Sequence, residues 1–306
     1  MSTPRRSAAA FRAALKDRLK AAASGLRRPY NELEREFVLQ RFLARVFAAE
    51  TSPWVLKGGT GLLMRLPGAR HSRDLDLLHP TQDLEQAVGE LRALGRSEAG
   101  DLFSFVVGRL VTMSGGVAGG TVKVEVYLGG IPFGQFPIDL STELPFVARV
   151  ERYRPRPVVE LPDVDQLPEF RLYPLPDQVA DKVCAMYERH GSGAVPSSRY
   201  RDLVDLVLIT ANFELDAGLT AEALTAEARR RGLAPPTRLH SPGAAWESGY
   251  RAEARRSSLA PELRELGAAL LAAGACLEPL LAGEITAGRW DPADRRWRPE
   301  PPRPIG

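Results

Sequence analysis

The sequence predicts an α+β protein, with a mixed-sheet domain over residues 1–160, a helical domain over 161–289 and a patternless tail over 290–306. Two observations carry this division. Alternation of apolar and polar residues is confined to residues 54–140, where it interleaves with short helical stretches, as in a sheet with antiparallel or mixed pairing. From Pro176 onward the apolar spacing switches to the three-and-four-residue repeat of helices. Composition sets the outer bounds. A chain of 306 residues has room for two domains, and 44% hydrophobic with 26% charged residues is globular rather than disordered.

The elements follow in order. Residues 5–23 place Phe11, Leu15 and Leu19 at four-residue spacing among basic residues, one apolar stripe on a helix. Pro29 interrupts. A second helix is predicted from Asn31, with Glu34 at capping-box spacing and Leu33, Phe37, Leu39, Phe42, Leu43 and Val46 as its apolar set. Residues 54–56 read as a strand that stops at Lys57-Gly58-Gly59-Thr60; a short helix over 61–66 follows and is closed by Pro67-Gly68. Residues 73–78 alternate as a second strand, and 81–95 are helical. Residues 103–107 and 110–113 read as two strands broken by Gly108. In 121–128, Val122, Val124, Val126 and Leu128 face one way; Gly129-Gly130 turns the chain and 136–140 returns as the partner strand. Helical periodicity then covers 177–189, 200–210, 220–231, 243–255 and 261–281. Residues 290–306, with five prolines and four arginines, show no period.

Several function classes drop out. No run of about 18 apolar residues exists for a membrane span, and the first twenty residues lack the apolar stretch of a secretory signal, so a cytoplasmic protein is expected. Cys184 and Cys276 are isolated thiols and only four histidines occur, which argues against a disulfide framework or a zinc site. A net charge of +3, from 41 basic and 38 acidic side chains, does not by itself announce a nucleic-acid binder.

Three patterns can carry chemistry. In Lys57-Gly58-Gly59-Thr60 a strand enters a helix through two glycines, which presents backbone N–H groups and a hydroxyl to an anion such as a phosphate; by itself it could equally be a plain turn. In Asp74-Leu75-Asp76 two carboxylates point to one face of a strand, where a divalent cation would relieve their repulsion; by itself this could be a solvated face. Strand, Gly-Gly-Thr turn, short helix and D-x-D strand together are the minimal layout of a polymerase-β-like nucleotidyltransferase core, whose loop holds the triphosphate and whose acids hold the metal. A later strand would supply a third acid, either Glu125 or Asp139. The third pattern is Lys182 on the 177–189 helix, followed by Arg199-Tyr200-Arg201-Asp202 and Asp205, where Asp202 and Asp205 share a helix face and could simply pair with the arginines.

In order and spacing, WVLKGGTGLLMRL, SRDLDLL, LPDQVADKVCAMYERH and SRYRDLVDLVLI resemble the AbiEii family of nucleotidyltransferase toxins, which includes the mycobacterial MenT toxins. The resemblance covers roughly residues 50–210. It implies transfer of a nucleoside monophosphate from an NTP with Mg²⁺, onto the 3′ end of tRNA, blocking aminoacylation, and a cognate antitoxin as partner. It implies Lys57, Asp74, Lys182 and Asp205 as the essential positions, with Gly58, Gly59, Thr60 and Ser72 around the nucleotide and Asp74 and Asp76 at the metal. The segment around Asp139 fits the third-acid strand better than Glu125 does. Lys57 and Lys182 would neutralise triphosphate charge, and Asp205 would either orient Lys182 or activate the acceptor hydroxyl. Arg27-Arg28, Arg152-Arg154-Arg156, Arg229-Arg230-Arg231 and Arg255-Arg256 could contact RNA phosphates or be ordinary surface. The competing readings are a small-molecule or protein-side-chain acceptor, and a catalytically silent RNA-binding protein on the same scaffold.

Overall fold

The structure, a computed structural model, describes residues 7–112, 119–142, 145–191 and 194–299. The chain divides into two compact units: Met1–Pro67, His71–Leu144 and Val150–Leu172 form the first, and Gly68–Arg70, Pro145–Arg149 and Tyr173–Gly306 the second.

The first unit opens with α1 (Ala8–Leu26), capped by the Ser7 hydroxyl on the amide of Ala10, and α2 (Tyr30–Val46). The expected capping box at Asn31 does not form. Pro29 occupies the cap position, Asn31 lies within the helix, and Glu34 instead accepts from the Tyr30 hydroxyl at 2.7 Å. Then come β1 (Val55–Lys57), α3 (Gly58–Arg65), β2 (Leu75–His79), α4 (Leu84–Arg96), β3 (Phe103–Thr112), β4 (Gly119–Leu128), β5 (Ile131–Thr142), β6 (Glu151–Tyr153) and β7 (Phe170–Leu172). They build a seven-stranded sheet in the order β3-β4-β5-β2-β1-β7-β6. The β2–β5 and β1–β7 pairs are parallel and the others antiparallel, so the sheet is mixed. The expected break at Gly108 is a register shift within one strand rather than a gap; Met113 lies outside the described residues.

One face of this sheet is the core. Phe42 of α2 meets Phe105 and Phe136 edge-on at 5.2 and 5.4 Å, and Phe11 of α1 meets Phe103 at 6.1 Å. The inward residues Val122, Val124, Val126, Phe136, Ile138 and Leu140 are all buried. Helix α2 is buried nearly all round, and two of its arginines are buried around one shared carboxylate. Arg41 and Arg45 both bind the carboxylate of Asp101, whose side chain is fully buried, at 2.6 and 2.8 Å, and give their remaining protons to backbone carbonyls that include Ala99, Ser97 and Phe103.

The second unit holds α5 (Leu175–Tyr187), the two-residue strands β8 (Arg189–His190) and β9 (Val195–Pro196), α6 (Tyr200–Asn212), β10 (Leu215–Asp216), α7 (Ala217–Arg231), α8 (Trp246–Ala254), a 3₁₀ turn at Pro261–Arg264, α9 (Leu266–Leu281), β11 (Arg289–Asp291) and β12 (Arg296–Arg298). Two sequence expectations change here. The boundary falls after Leu172 rather than at 160, because β6 and β7 belong to the first sheet; strands of three residues are too short to show alternation. The segment expected to be patternless from 290 is instead a hairpin paired to β10. Trp290 is fully buried and its indole donates to the Thr210 carbonyl at 2.7 Å, while Trp297 donates to Cys276 at 3.0 Å. Two tryptophans give a short segment enough apolar area to dock, whatever its proline content. Residues 300–306 lie outside the described residues.

Candidate active site

The face of the first sheet opposite the helices carries a row of functional side chains, aligned by strand register. Lys57 pairs across from Asp76, Asp76 from Asp139, and Asp139 from Thr121, on four neighbouring strands. Directly paired residues project to the same face about 5 Å apart. All four are half-buried, whereas Leu56, Leu75, Leu77, Ile138, Leu140 and Val122 beside them are buried. The same register excludes Glu125. It pairs with Gln135, four pairs further along β4, and is exposed.

The turn into α3 is fitted to this row. Gly58 has φ +63, and a Cβ there would overlap the Asp76 carboxylate, so only glycine lets the backbone lie against that acid. Thr60 was expected to offer its hydroxyl to phosphate. It is fully buried, and the hydroxyl donates to the Asp74 carbonyl at 2.7 Å, which pins the start of β2 to the helix. Ser72 is likewise buried and donates to the Asp74 carboxylate at 2.7 Å. Both residues position Asp74.

The oxygen donor set of Asp76 and Asp139 suits a hard divalent cation, which needs one or two carboxylates when substrate phosphates complete its shell. Among the described residues no group of three or more His, Cys, Asp or Glu side chains gathers closely enough to hold an ion without such help. Asp74, Asp76 and Asp139 would thus share an ion only with substrate phosphates completing its shell, and the Asp74 carboxylate accepts a hydrogen bond from Ser72.

Lys182 and Asp205 lie in the second unit, in a closed ionic lattice. The Lys182 ammonium donates to Asp202 at 2.9 Å and to Asp205 at 2.5 Å. Arg70 binds Asp205 with two prongs, Nε to Oδ1 at 2.7 Å and Nη2 to Oδ2 at 2.8 Å. Arg199 binds the other oxygen of Asp202 at 2.7 Å. Lys182, Asp202 and Asp205 are all buried. Burial by itself would push the lysine down, but the two carboxylates outweigh it and hold Lys182 above its ordinary range. Burial would push Asp202 up, and Lys182 and Arg199 hold it below the usual carboxylate range instead. Both Asp205 oxygens are engaged by cations, so of its two expected roles the geometry suits orienting Lys182.

Some of the clustered arginines are engaged by acids. Arg231 binds Glu227, Asp181 and Glu188, and Arg230 binds Glu227 at 2.5 Å, so these two build the end of α7; Arg229 is exposed. Arg28 binds Glu36, and Arg152 binds Glu50 at 3.3 Å. Sequence reasoning missed Thr121 and Arg70. Thr121 is legible only once β4 is registered on β5, and Arg70 sits in an irregular segment with no period to mark it.

Residues 41–272 match the family described as nucleotidyl transferase AbiEii toxin, type IV toxin–antitoxin system. Among solved structures, the chain is similar to MenT4, a nucleotidyltransferase toxin from Mycobacterium tuberculosis H37Rv, at 20% identity and a TM-score of 0.51, over 87% of this chain and 98% of that one. It is also similar to JHP933 from Helicobacter pylori, at 16% identity and a TM-score of 0.47, over 83% and 94%. The likeness to MenT4 is one of fold. No curated protein matches by sequence. With the family match spanning most of the chain and both patterned halves, this protein belongs to the AbiEii family of nucleotidyltransferase toxins, whose members pair with an antitoxin and use a nucleotide as substrate.

Proposed function

We propose that this nucleotidyltransferase transfers a nucleoside monophosphate from an NTP to RNA in the cytoplasm, with the 3′ end of tRNA as acceptor, so that the modified tRNA cannot be aminoacylated. The observation that carries the reading is the registered row Lys57–Asp76–Asp139 beside Gly58, on the sheet face away from the helices. Asp76 and Asp139 would hold Mg²⁺ with Asp74, and the ion when bound would supply Lewis acidity at the reacting phosphate. Lys57 would neutralise triphosphate charge, and the backbone at Gly58 and Gly59 would approach the phosphates closely. Thr60 and Ser72 would keep Asp74 in place. Lys182, oriented by Asp205, would contribute positive charge toward the triphosphate.

One observation favours a smaller acceptor. Arg230 and Arg231 are taken up by Glu227, Asp181 and Glu188, which removes them as phosphate contacts for RNA. The test is incubation with total tRNA, Mg²⁺ and each labelled NTP in turn. Labelled tRNA made by the wild type and not by Asp74→Ala supports the reading. Label on protein or on a small molecule, with tRNA unlabelled, moves the acceptor to the second class.

A further inference from the structure

We infer that Arg70 is a positioning residue of the transfer reaction, acting on Lys182 through the carboxylate of Asp205; this rests on the reading that Lys182 serves the triphosphate. Asp205 is fully buried, so the direction of its carboxylate is set by its partners and not by water. Arg70 binds both oxygens, and its side chain is only 11% exposed. A planar fork on two oxygens fixes the plane of the carboxylate as well as its position, which a single ammonium cannot do. The oxygen left to Lys182 is Oδ2, which already accepts from Arg70 Nη2, so the line from Arg70 to Lys182 runs through one atom.

The second acid in the lattice is held differently. Arg199 reaches Asp202 with one nitrogen, and its side chain is 56% exposed. Of the two carboxylates that share the Lys182 ammonium, Asp205 is gripped on both oxygens by a nearly buried guanidinium, that of Arg70.

The charges add a second reason. Lys182 and Arg199 alone would be matched one for one by Asp202 and Asp205, a neutral group with nothing left for an anion. Arg70 supplies the extra positive charge, so Asp205 is divided between two cations and Lys182 is not wholly captured by its acids. The like charge of Arg70 opposes the pull of the carboxylates on Lys182.

The experiment compares wild type with Arg70→Lys, which keeps the charge and loses the fork. Three readouts are taken on the full chain: melting temperature, kcat and KM for the NTP in transfer to total tRNA, and the Kd of a non-hydrolysable NTP analogue with Mg²⁺. The expected result is a folded variant whose KM and analogue Kd rise by about tenfold while kcat changes less than about threefold. In combination with Asp205→Asn, the Arg70→Lys change should add no further loss of analogue affinity, since both act through one carboxylate. Unchanged KM and Kd in a folded Arg70→Lys protein overturns the inference, as does full additivity with Asp205→Asn. A variant that loses melting temperature and kcat but keeps its KM marks Arg70 as structural and overturns it too. Should Arg70→Lys fail to fold, Asp205→Asn must itself raise the analogue Kd, or the inference falls. A wild type that binds the analogue but leaves tRNA unlabelled sinks the tRNA acceptor and not the role of Arg70, which the analogue Kd still reads.

Discussion

Two pairs of acids, Asp74/Asp76 at the entry to β2 and Asp202/Asp205 on α6, look alike in the sequence and end in opposite electrostatic states. Two-residue spacing on a strand and three-residue spacing on a helix both put carboxylates on one face. On the sheet, the register sets Asp76 beside another acid, Asp139, in a half-buried row. In the helical unit, Asp202 and Asp205 close around Lys182 with Arg70 and Arg199 outside them, and the lysine and both acids are shielded from water. The difference teaches what each pair is for. Acids kept side by side and partly exposed stay accessible to a ligand, as the proposed metal role requires. Acids buried and fully paired are part of the fold, and their cost of desolvation is covered only while every partner stays in place.

The sharpest way to break the comparison is to neutralise one acid in each region. Asp76→Asn is expected to lower transfer at least about a thousandfold, roughly 4 kcal/mol of transition-state stabilisation, while melting at or above the wild-type temperature because an acid–acid repulsion is relieved. Labelled-NTP transfer and thermal melts measure the two sides. Normal transfer by folded Asp76→Asn would remove the sheet row from the site. In the helical unit, Asp205→Ala should cost about 3–5 kcal/mol in urea unfolding, because Lys182 and Arg70 then remain buried without their shared counter-charge. A loss under 1 kcal/mol would mean that Lys182 and Arg70 do not depend on Asp205 for their counter-charge.

A smaller effect lies at the turn. Gly58→Ala forces a Cβ into the Asp76 carboxylate at a positive φ, so about 1–3 kcal/mol of stability should go along with most of the activity. An active, equally stable Gly58→Ala protein would show that the close approach is not required.

The smallest effect is in the pH dependence of stability. Asp202 titrates below its ordinary 3.8 in the folded chain, so its contribution is present above about pH 4 and is lost as the pH falls through the lowered value. Lys182 titrates above its ordinary 10.5, so its contribution is present below that and is lost as the pH rises through the raised value. The share of the urea midpoint that comes from this ion-pair group should therefore be flat between these limits and fall outside them. In Asp202→Asn the acid-side fall should shrink; an unchanged acid limb would place the titrating groups elsewhere.

Much of this was legible in the chain. Val122, Val124, Val126 and Leu128 on one face, and Phe11, Leu15 and Leu19 along another, were readable because burial follows the period of the backbone, and all seven are buried. The glycine turn before the D-x-D strand was readable because a strand that must become a helix within two residues beside an acid can use little else than glycine. The C-terminal hairpin was not readable, because Trp290 and Trp297 bury by docking on helices of distant sequence and carry no period of their own. Nor was the capping of α2, where Pro29 and the Tyr30–Glu34 bond replaced the box.

The sequence by itself determined the order of the elements, the two halves and the residue types at the site, since these depend on periodicity and on which side chains can carry charge. Only the tertiary structure decided that Asp139 and not Glu125 stands beside Asp76, that Thr60 and Ser72 hold Asp74, and that Lys182 lies buried between two acids with Arg70 behind one of them. The physical reason is the same in each case. Strand register and ion pairing join residues far apart in the chain, and a one-residue slip of β5 would turn Asp139 to the opposite face.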